Sequence, residues 1–356
     1  MDLKNQSAMN RRTFISSVGA VMSAPFIHRV IQPQSAARSL IKPLHLKPGD
    51  VVGAITPSTP ISDPDRLALV ERTLRHFGLK TKWGRHVGKR SGYFGSPVED
   101  RLDDLHAMFR DPEVKAVFCI GGGYGTQHLL DKLDYDLIRR HPKIFLGYSD
   151  ITALHLAIHQ NTNLVTFHGP VILSKFSDYT QQHFRRAIFE TKPLGLVTNP
   201  PDNNALRPEH RLRAIRPGTA SGPLIGGNLT LISTLMGTPY EPETRGKIFF
   251  IEDIGEEPYR IDRMLTQLRL AGKFEAAAGV IFGECTDCGP NDYKPSLGSS
   301  FSLGEVLDNV LGGLKVPVLA GLTIGHTADQ LTLPLGVMAT LNADQGTVEI
   351  REAGVS

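Results

Sequence analysis

From Val51 to Phe167 short apolar runs alternate with stretches of helical periodicity, a rhythm that restricts this half to a parallel sheet with helices on both faces. Val51 to Ile55 reads as a buried strand, followed by the turn-rich Thr56-Pro57-Ser58-Thr59-Pro60. Residues 63–77 place Leu67, Val70 and Leu74 on one helical face and stop at Gly78, a glycine suited to closing a helix. The pattern repeats: strand at 80–83, helix at 97–110, and an apolar run at 114–120 ending in Gly121-Gly122-Gly123-Tyr124-Gly125. A helix through Leu129 and Leu133 follows, then a strand at 143–146, a helix at 151–159 and a strand at 164–167. Ligands of such sheets lie beyond the carboxyl ends of the strands, where the glycine run and Gly147-Tyr148-Ser149-Asp150 both fall.

The rhythm breaks after Lys175. Residues 176–210, with Asn199-Pro200-Pro201-Asp202-Asn203-Asn204, read as a linker between a domain at 45–175 and a second at 211–356. The second half carries a short apolar helix at 229–236, a strand at 247–252, one long helix at 260–270 and short strands at 280–282, 317–320 and 336–341. That pattern predicts a smaller mixed α/β domain. With 39 basic and 36 acidic residues the net charge is only +3, too little and too dispersed for a nucleic-acid surface.

Residues 1–40 read as a targeting segment. Arg11-Arg12 stand just before Phe14-Ile15, and the apolar run to Ile27 is softened by Ser16, Ser17, Gly19 and Ser23, as in twin-arginine export signals. The run is shorter than the roughly 20 residues of a membrane span. The expectation is therefore a periplasmic protein with no stable membrane association after cleavage, near Ala24 or near Ser35-Ala36-Ala37. Cys285 and Cys288 form a C-T-D-C pair that is at most half a zinc site; a loop disulfide and two free thiols are equally compatible with it.

Ser149, on a sharp turn at a strand end, suits either a nucleophile or an N-cap for the next helix. G-x-S-x-G is not met, because Ile151 takes the last glycine position. The glycine run could serve as phosphate cradle, oxyanion loop or tight turn; neither dinucleotide nor P-loop spacing is present. Glu252 ends an apolar strand, and His326 sits on a tight loop after Ile324-Gly325. A serine hydroxyl needs a base to take its proton, and an imidazole needs a carboxylate to fix its tautomer; Ser149, His326 and Glu252 supply the three groups.

At these residues the chain resembles the L,D-carboxypeptidase (muramoyltetrapeptide carboxypeptidase) family of serine peptidases, family S66, which includes the microcin C self-immunity hydrolases. The resemblance runs from about Val51 to Ile350. It rests on Ala54-Ile55-Thr56-Pro57-Ser58, Gly122-Gly123-Tyr124-Gly125, Gly147-Tyr148-Ser149-Asp150, His168-Gly169-Pro170, Gly226-Gly227-Asn228-Leu229, Glu252-Asp253-Ile254-Gly255-Glu256, Arg260-Ile261-Asp262-Arg263 and Gly325-His326. It implies an N-terminal domain like class I glutamine amidotransferases and a C-terminal swivelling β/α domain, with the active site between them. It carries the nucleophile onto Ser149, the relay acid onto Glu252, the base onto His326, and backbone oxyanion donors onto Asp150 and Gly123. A murein peptide substrate, a homodimer and no metal or organic cofactor are also implied. The alternatives are a sibling hydrolase of aminoacyl nucleotides and a catalytically silent periplasmic muropeptide-binding protein. One departure stands at Gly121, where the family usually has an arginine.

Overall fold

The computed structural model describes residues 39–201, 206, 210–291 and 293–356. The targeting segment lies outside the described residues except for its last two positions. Residues 39–356 form one compact unit. Its strands in chain order are β1 (Val51–Ile55), β2 (Lys80–Trp83), β3 (Val114–Cys119), β4 (Ile144–Gly147), β5 (Phe167–His168), β6 (Gly195–Val197) and β7 (Arg213–Arg216). There follow β8 (Thr219–Asn228), β9 (Ile248–Ile254), β10 (Gly279–Thr286), β11 (Val318–Leu322), β12 (Leu333–Pro334), β13 (Met338–Asn342) and β14 (Thr347–Ile350). They make two sheets, six-stranded β12-β5-β4-β3-β1-β2 and eight-stranded β6-β14-β13-β8-β9-β10-β11-β7.

In the first sheet β2, β1, β3, β4 and β5 are parallel, as the strand–helix alternation requires. The helices between them are α1 (Pro64–His76), α2 (Val98–Arg110), α3 (Tyr135–Arg140) and α4 (Thr152–Thr162). Asp63 caps α1 by accepting from the N–H groups of Asp65 and Arg66, and a proline stands in the first turn. The central strands β3 and β4 are buried almost throughout, which explains why they read as continuous apolar runs rather than alternating ones. The stretch through Leu129 is a 3₁₀ helix, Thr126–Lys132, and Asp134 caps α3 beyond it.

The chain passes between the sheets more often than the sequence suggests. Within the stretch read as a linker, α5 (Asp178–Ile188) packs Phe184 and Ile188 into the core and β6 joins the second sheet. Late in the chain β12 returns to pair antiparallel with β5 of the first sheet. The second sheet has a parallel centre, β8-β9-β10-β11, with antiparallel strands at both flanks. Its helices are α6 (Leu229–Leu235), α7 (Pro258–Leu270), α8 (Lys273–Ala276) and α9 (Leu303–Leu311). A full capping box between Ser302 and Glu305 starts α9, a helix absent from the elements expected of the sequence.

Three histidines are locked in the core without charge. Burial pulls His155 and His183 down to about 4 and His168 well below the ordinary imidazole range. An unfolded imidazole takes up its proton near pH 6.5, so between about pH 6.5 and 4 the unfolded chain binds more protons than the folded one. Stability is then fully present above that window and falls as the pH drops through it, by about 3 kcal/mol for each of His155 and His183. Urea denaturation at pH 7 and pH 4.5 should show this loss, and His155→Gln should make the pH dependence shallower. A midpoint that does not move between those pH values would refute it.

Candidate active site

Ser149 follows β4 after the single residue Tyr148 and opens a 3₁₀ turn, Ser149–Ile151, that leads into α4. Its φ is 65°, a left-handed backbone conformation that is costly for a residue with a Cβ and is held by its surroundings. Ile151 folds back over Gly147, which makes the turn sharp and lifts the serine side chain off the sheet. The N-cap reading is not what this geometry shows: Ser149 makes no side-chain capping bond to α4, and its hydroxyl points elsewhere.

That hydroxyl lies 3.0 Å from Nε2 of His326. On the other side of the ring, Nδ1 lies 2.8 Å from Oε2 of Glu252, and the His326 backbone N–H approaches the same oxygen at 3.3 Å. The carboxylate can only accept, so it fixes the proton on Nδ1 and leaves Nε2 free to accept from Ser149. Glu252 is wholly buried on β9 and His326 lies on the loop after β11, so two strands of the second sheet bring both groups to Ser149 at the end of the first. Gly325 is required between them. With φ 78° and the Glu252 carboxylate packed where a Cβ would stand, no other residue fits.

Further contacts hold the imidazole. Thr286 donates its hydroxyl to the His326 carbonyl at 2.6 Å, Gln330 donates to the Gly325 carbonyl, and the Tyr148 ring meets the imidazole edge-on at a centroid distance of 4.8 Å. Burial raises the Tyr148 phenol above its ordinary value, which keeps that ring neutral. Thr286 lies between Cys285 and Cys288, which the structure joins in a disulfide. They take no part in a metal site.

The glycine run passes over the serine. A Cβ on Gly122 would stand 3.0 Å from the Ser149 Cβ and 3.3 Å from its Oγ, so any side chain there would crowd the Ser149 hydroxyl. The Gly122 carbonyl accepts from the Thr59 hydroxyl at 2.7 Å. Across a trans peptide the N–H of Gly123 then faces away from Thr59. Asp150, whose backbone N–H is the other expected donor, is anchored by its side chain. Its Oδ2 accepts from Ser58 at 2.6 Å and from the Thr126 N–H at 3.0 Å, while its carbonyl accepts from the Thr126 hydroxyl at 2.6 Å. Arg101, also buried, donates to the carbonyls of Pro57 and Gly125 at 2.7 and 2.9 Å, clamping the two loops together; burial lowers its pKa and the attraction of Asp150 opposes that.

The lobes meet at the same place. The Thr152 hydroxyl accepts from the Asn228 N–H at 2.9 Å, and Asn228 in turn caps α6 and donates to Asp253 at 3.0 Å. Asp253, beside Glu252, also accepts from Thr230, so the end of β9 is fixed on the side away from His326. Ser58, Thr59, Arg101, Thr126 and Thr286 were not singled out as site residues in the sequence. Ser58 and Thr59 lie in the turn-rich loop after β1, and that position at a strand's carboxyl end was the available signal.

The LD-carboxypeptidase N-terminal domain model matches residues 52–169, and the LD-carboxypeptidase C-terminal domain model matches residues 221–341. A Bacillus subtilis (strain 168) protein named "Probable murein peptide carboxypeptidase" is 44% identical over 315 residues, covering 88% of this chain and 95% of its own length. The Escherichia coli microcin C7 self-immunity protein MccF is 31% identical over 335 residues, covering 86% of this chain and 95% of its own. The structure of MccF in complex with glutamyl sulfamoyl guanosine superposes with a TM-score of 0.78 at 30% identity, over 88% of this chain and 99% of that one. The muramoyltetrapeptide carboxypeptidase of Oxalobacter formigenes gives 0.72, also at 30% identity, over 85% and 99%. Two family models in chain order, together with relatives aligned over nearly their whole length, leave no other assignment: the chain belongs to the LD-carboxypeptidase family, S66, and is a hydrolase of the carboxypeptidase type.

Proposed function

We propose that this protein is a serine L,D-carboxypeptidase that releases terminal D-alanine from murein tetrapeptides, cutting the bond that follows an L-configured diaminopimelate or lysine. The observation that carries the reading is the unbroken chain of contacts from the Ser149 hydroxyl through His326 to Glu252. His326 takes the Ser149 proton as the oxygen attacks the scissile carbonyl carbon. The carbonyl oxygen becomes an oxyanion, met by the backbone N–H groups of Asp150 and Gly123. Collapse breaks the C–N bond; His326 gives its proton to the departing amine, and D-alanine leaves. Water, deprotonated by His326, then attacks the acyl-enzyme and frees the tripeptide and the serine. The groups that hold Asp150 and Gly122 keep the two donors fixed before substrate arrives, which is what makes such donors effective. Export through the leader at residues 1–40, a periplasmic site of action and a homodimer belong to the same proposal.

Hydrolysis of an aminoacyl nucleotide is the second reading, favoured by the likeness to MccF. Purified protein should be given a defined diaminopimelate tetrapeptide and, separately, an aminoacyl sulfamoyl adenosine, with products followed by mass spectrometry. Tripeptide and D-alanine as the favoured products would support the first reading. Turnover of the nucleotide alone would replace it with the second, and specific binding of tetrapeptide without turnover would indicate a binding protein.

A further inference from the structure

We infer that Tyr93 and Tyr124 form a stacking platform for a pyranose ring carried by the substrate, so that the enzyme favours tetrapeptides still attached to a sugar over free ones. This rests on the murein-peptide reading and extends it to the part of the substrate remote from the scissile bond. Tyr93 and Tyr124 are 64% and 49% exposed, which is unusual for side chains whose faces gain so much from burial. They are not scattered. Their ring centroids lie 5.6 Å apart with planes inclined by 56°, and Phe94 completes the triangle, 4.5 Å from Tyr93 and 5.9 Å from Tyr124 with its plane nearly parallel to the latter.

The cluster is rigidly held. Phe94 packs where a Cβ on Gly125 would stand, and the buried Arg101 guanidinium lies 4.7 Å from the Phe94 centroid while donating to the Gly125 carbonyl. The same Arg101 therefore supports the platform and the glycine turn. Tyr124 is two residues from Gly122, which packs beside Ser149, so its Cα lies within about 7 Å of the Gly122 Cα. An extended peptide of three residues, the length between the scissile bond and a sugar at the amino end of a tetrapeptide, spans about 10 Å. A platform at this position is within reach of such a ring.

The chemistry suits a sugar. One face of a pyranose presents several C–H bonds of slight positive character, which meet the negative face of an aromatic ring, while the hydroxyls at its rim stay in water. An exposed pair of tyrosines offers such faces. Polar groups stand next to it: His128 lies 6.1 Å from Tyr124 and also lines a cavity of ≈ 530 Å³ shared with Gln127, Thr234 and Tyr240, where hydroxyls could find partners.

The test compares N-acetylmuramoyl tetrapeptide with the same free tetrapeptide. Wild type should favour the first by about tenfold in kcat/KM, and Tyr93→Ala should reduce that preference to near one, mainly by raising KM for the sugar-bearing substrate; Tyr93→Phe should restore it. Equal losses on both substrates, or a wild type without preference, would overturn the inference. Binding of N-acetylmuramoyl dipeptide, measured by calorimetry, keeps the question apart from turnover. If wild type released no D-alanine yet bound this probe and Tyr93→Ala weakened it, the platform would stand and the catalytic reading would fall. Preferential, Tyr93-dependent binding of AMP instead of the probe would assign the platform to a base and overturn the sugar.

Discussion

Ser149→Ala is expected to lower kcat for D-alanine release by about four orders of magnitude or more, with the fold intact. The hydroxyl it removes is the group that His326 Nε2 faces at 3.0 Å, and alanine leaves a gap of a single atom there. No rescue is expected from neighbouring hydroxyls. Ser58 is committed to Asp150, Thr59 to the Gly122 carbonyl, and Thr152 to the Asn228 N–H. Residual activity should come from the oxyanion donors and substrate positioning, which survive loss of the nucleophile. Alanine at φ 65° carries the same Cβ that serine does, so the backbone strain is unchanged and the unfolding midpoint should stay within about 1 kcal/mol of wild type. The measurement is single-turnover D-alanine release beside a denaturation curve. Wild-type rates would end the serine mechanism; a collapsed midpoint would mean the loss of activity reports on folding.

The first sheet could be read from the chain because its physics is local. Buried parallel strands appear as apolar runs, helices as 3.6-residue periodicity, and Gly78 marks a helix end without reference to anything distant. Ser149, Glu252 and His326 were legible for a different reason: the resemblance tied three separated motifs together, whereas Ser149 by itself was as compatible with a helix cap. The groups that hold the site in register could not be found this way. Asp150 is expected to act through its backbone N–H, but its buried carboxylate also gathers Ser58 from 92 residues away and Thr126 from 24, and nothing at those positions announces the partner. The return of β12 to the first sheet was hidden similarly, since a two-residue strand carries no periodicity. The helix α5 has amphipathic spacing, yet the prolines and asparagines near residue 200 give the stronger local signal, that of a linker. Long-range pairing of polar groups leaves little trace in one sequence, because serine, threonine and aspartate serve equally in turns and caps.

Glu252→Gln should separate two jobs that the proposed mechanism gives the carboxylate, holding the imidazole and balancing its charge. In the wild type Oε2 accepts from both His326 Nδ1–H and the His326 backbone N–H, whereas Oε1 has no hydrogen-bond partner among the described residues. A glutamine amide must place one oxygen and one NH₂ there. The backbone N–H cannot rotate away, so the amide oxygen should take the Oε2 position and keep the proton on Nδ1. Geometry and tautomer then survive, and what disappears is the negative charge facing the imidazolium that forms as Ser149 is deprotonated. In a site this buried that charge is poorly replaced by solvent, and kcat should fall by about 10³ to 10⁴. Stability should change little or fall slightly, because packing and both His326 contacts are kept while the new NH₂ takes the place of Oε1, which has no partner among the described residues. Glu252→Ala should lose as much activity and also stability, since it leaves a cavity beneath Gly325 and two donors of His326 without an acceptor. Kinetics and urea midpoints on the three proteins decide the matter. A glutamine variant within tenfold of wild-type kcat would show that this carboxylate only positions the ring and that the imidazolium is balanced by some other group.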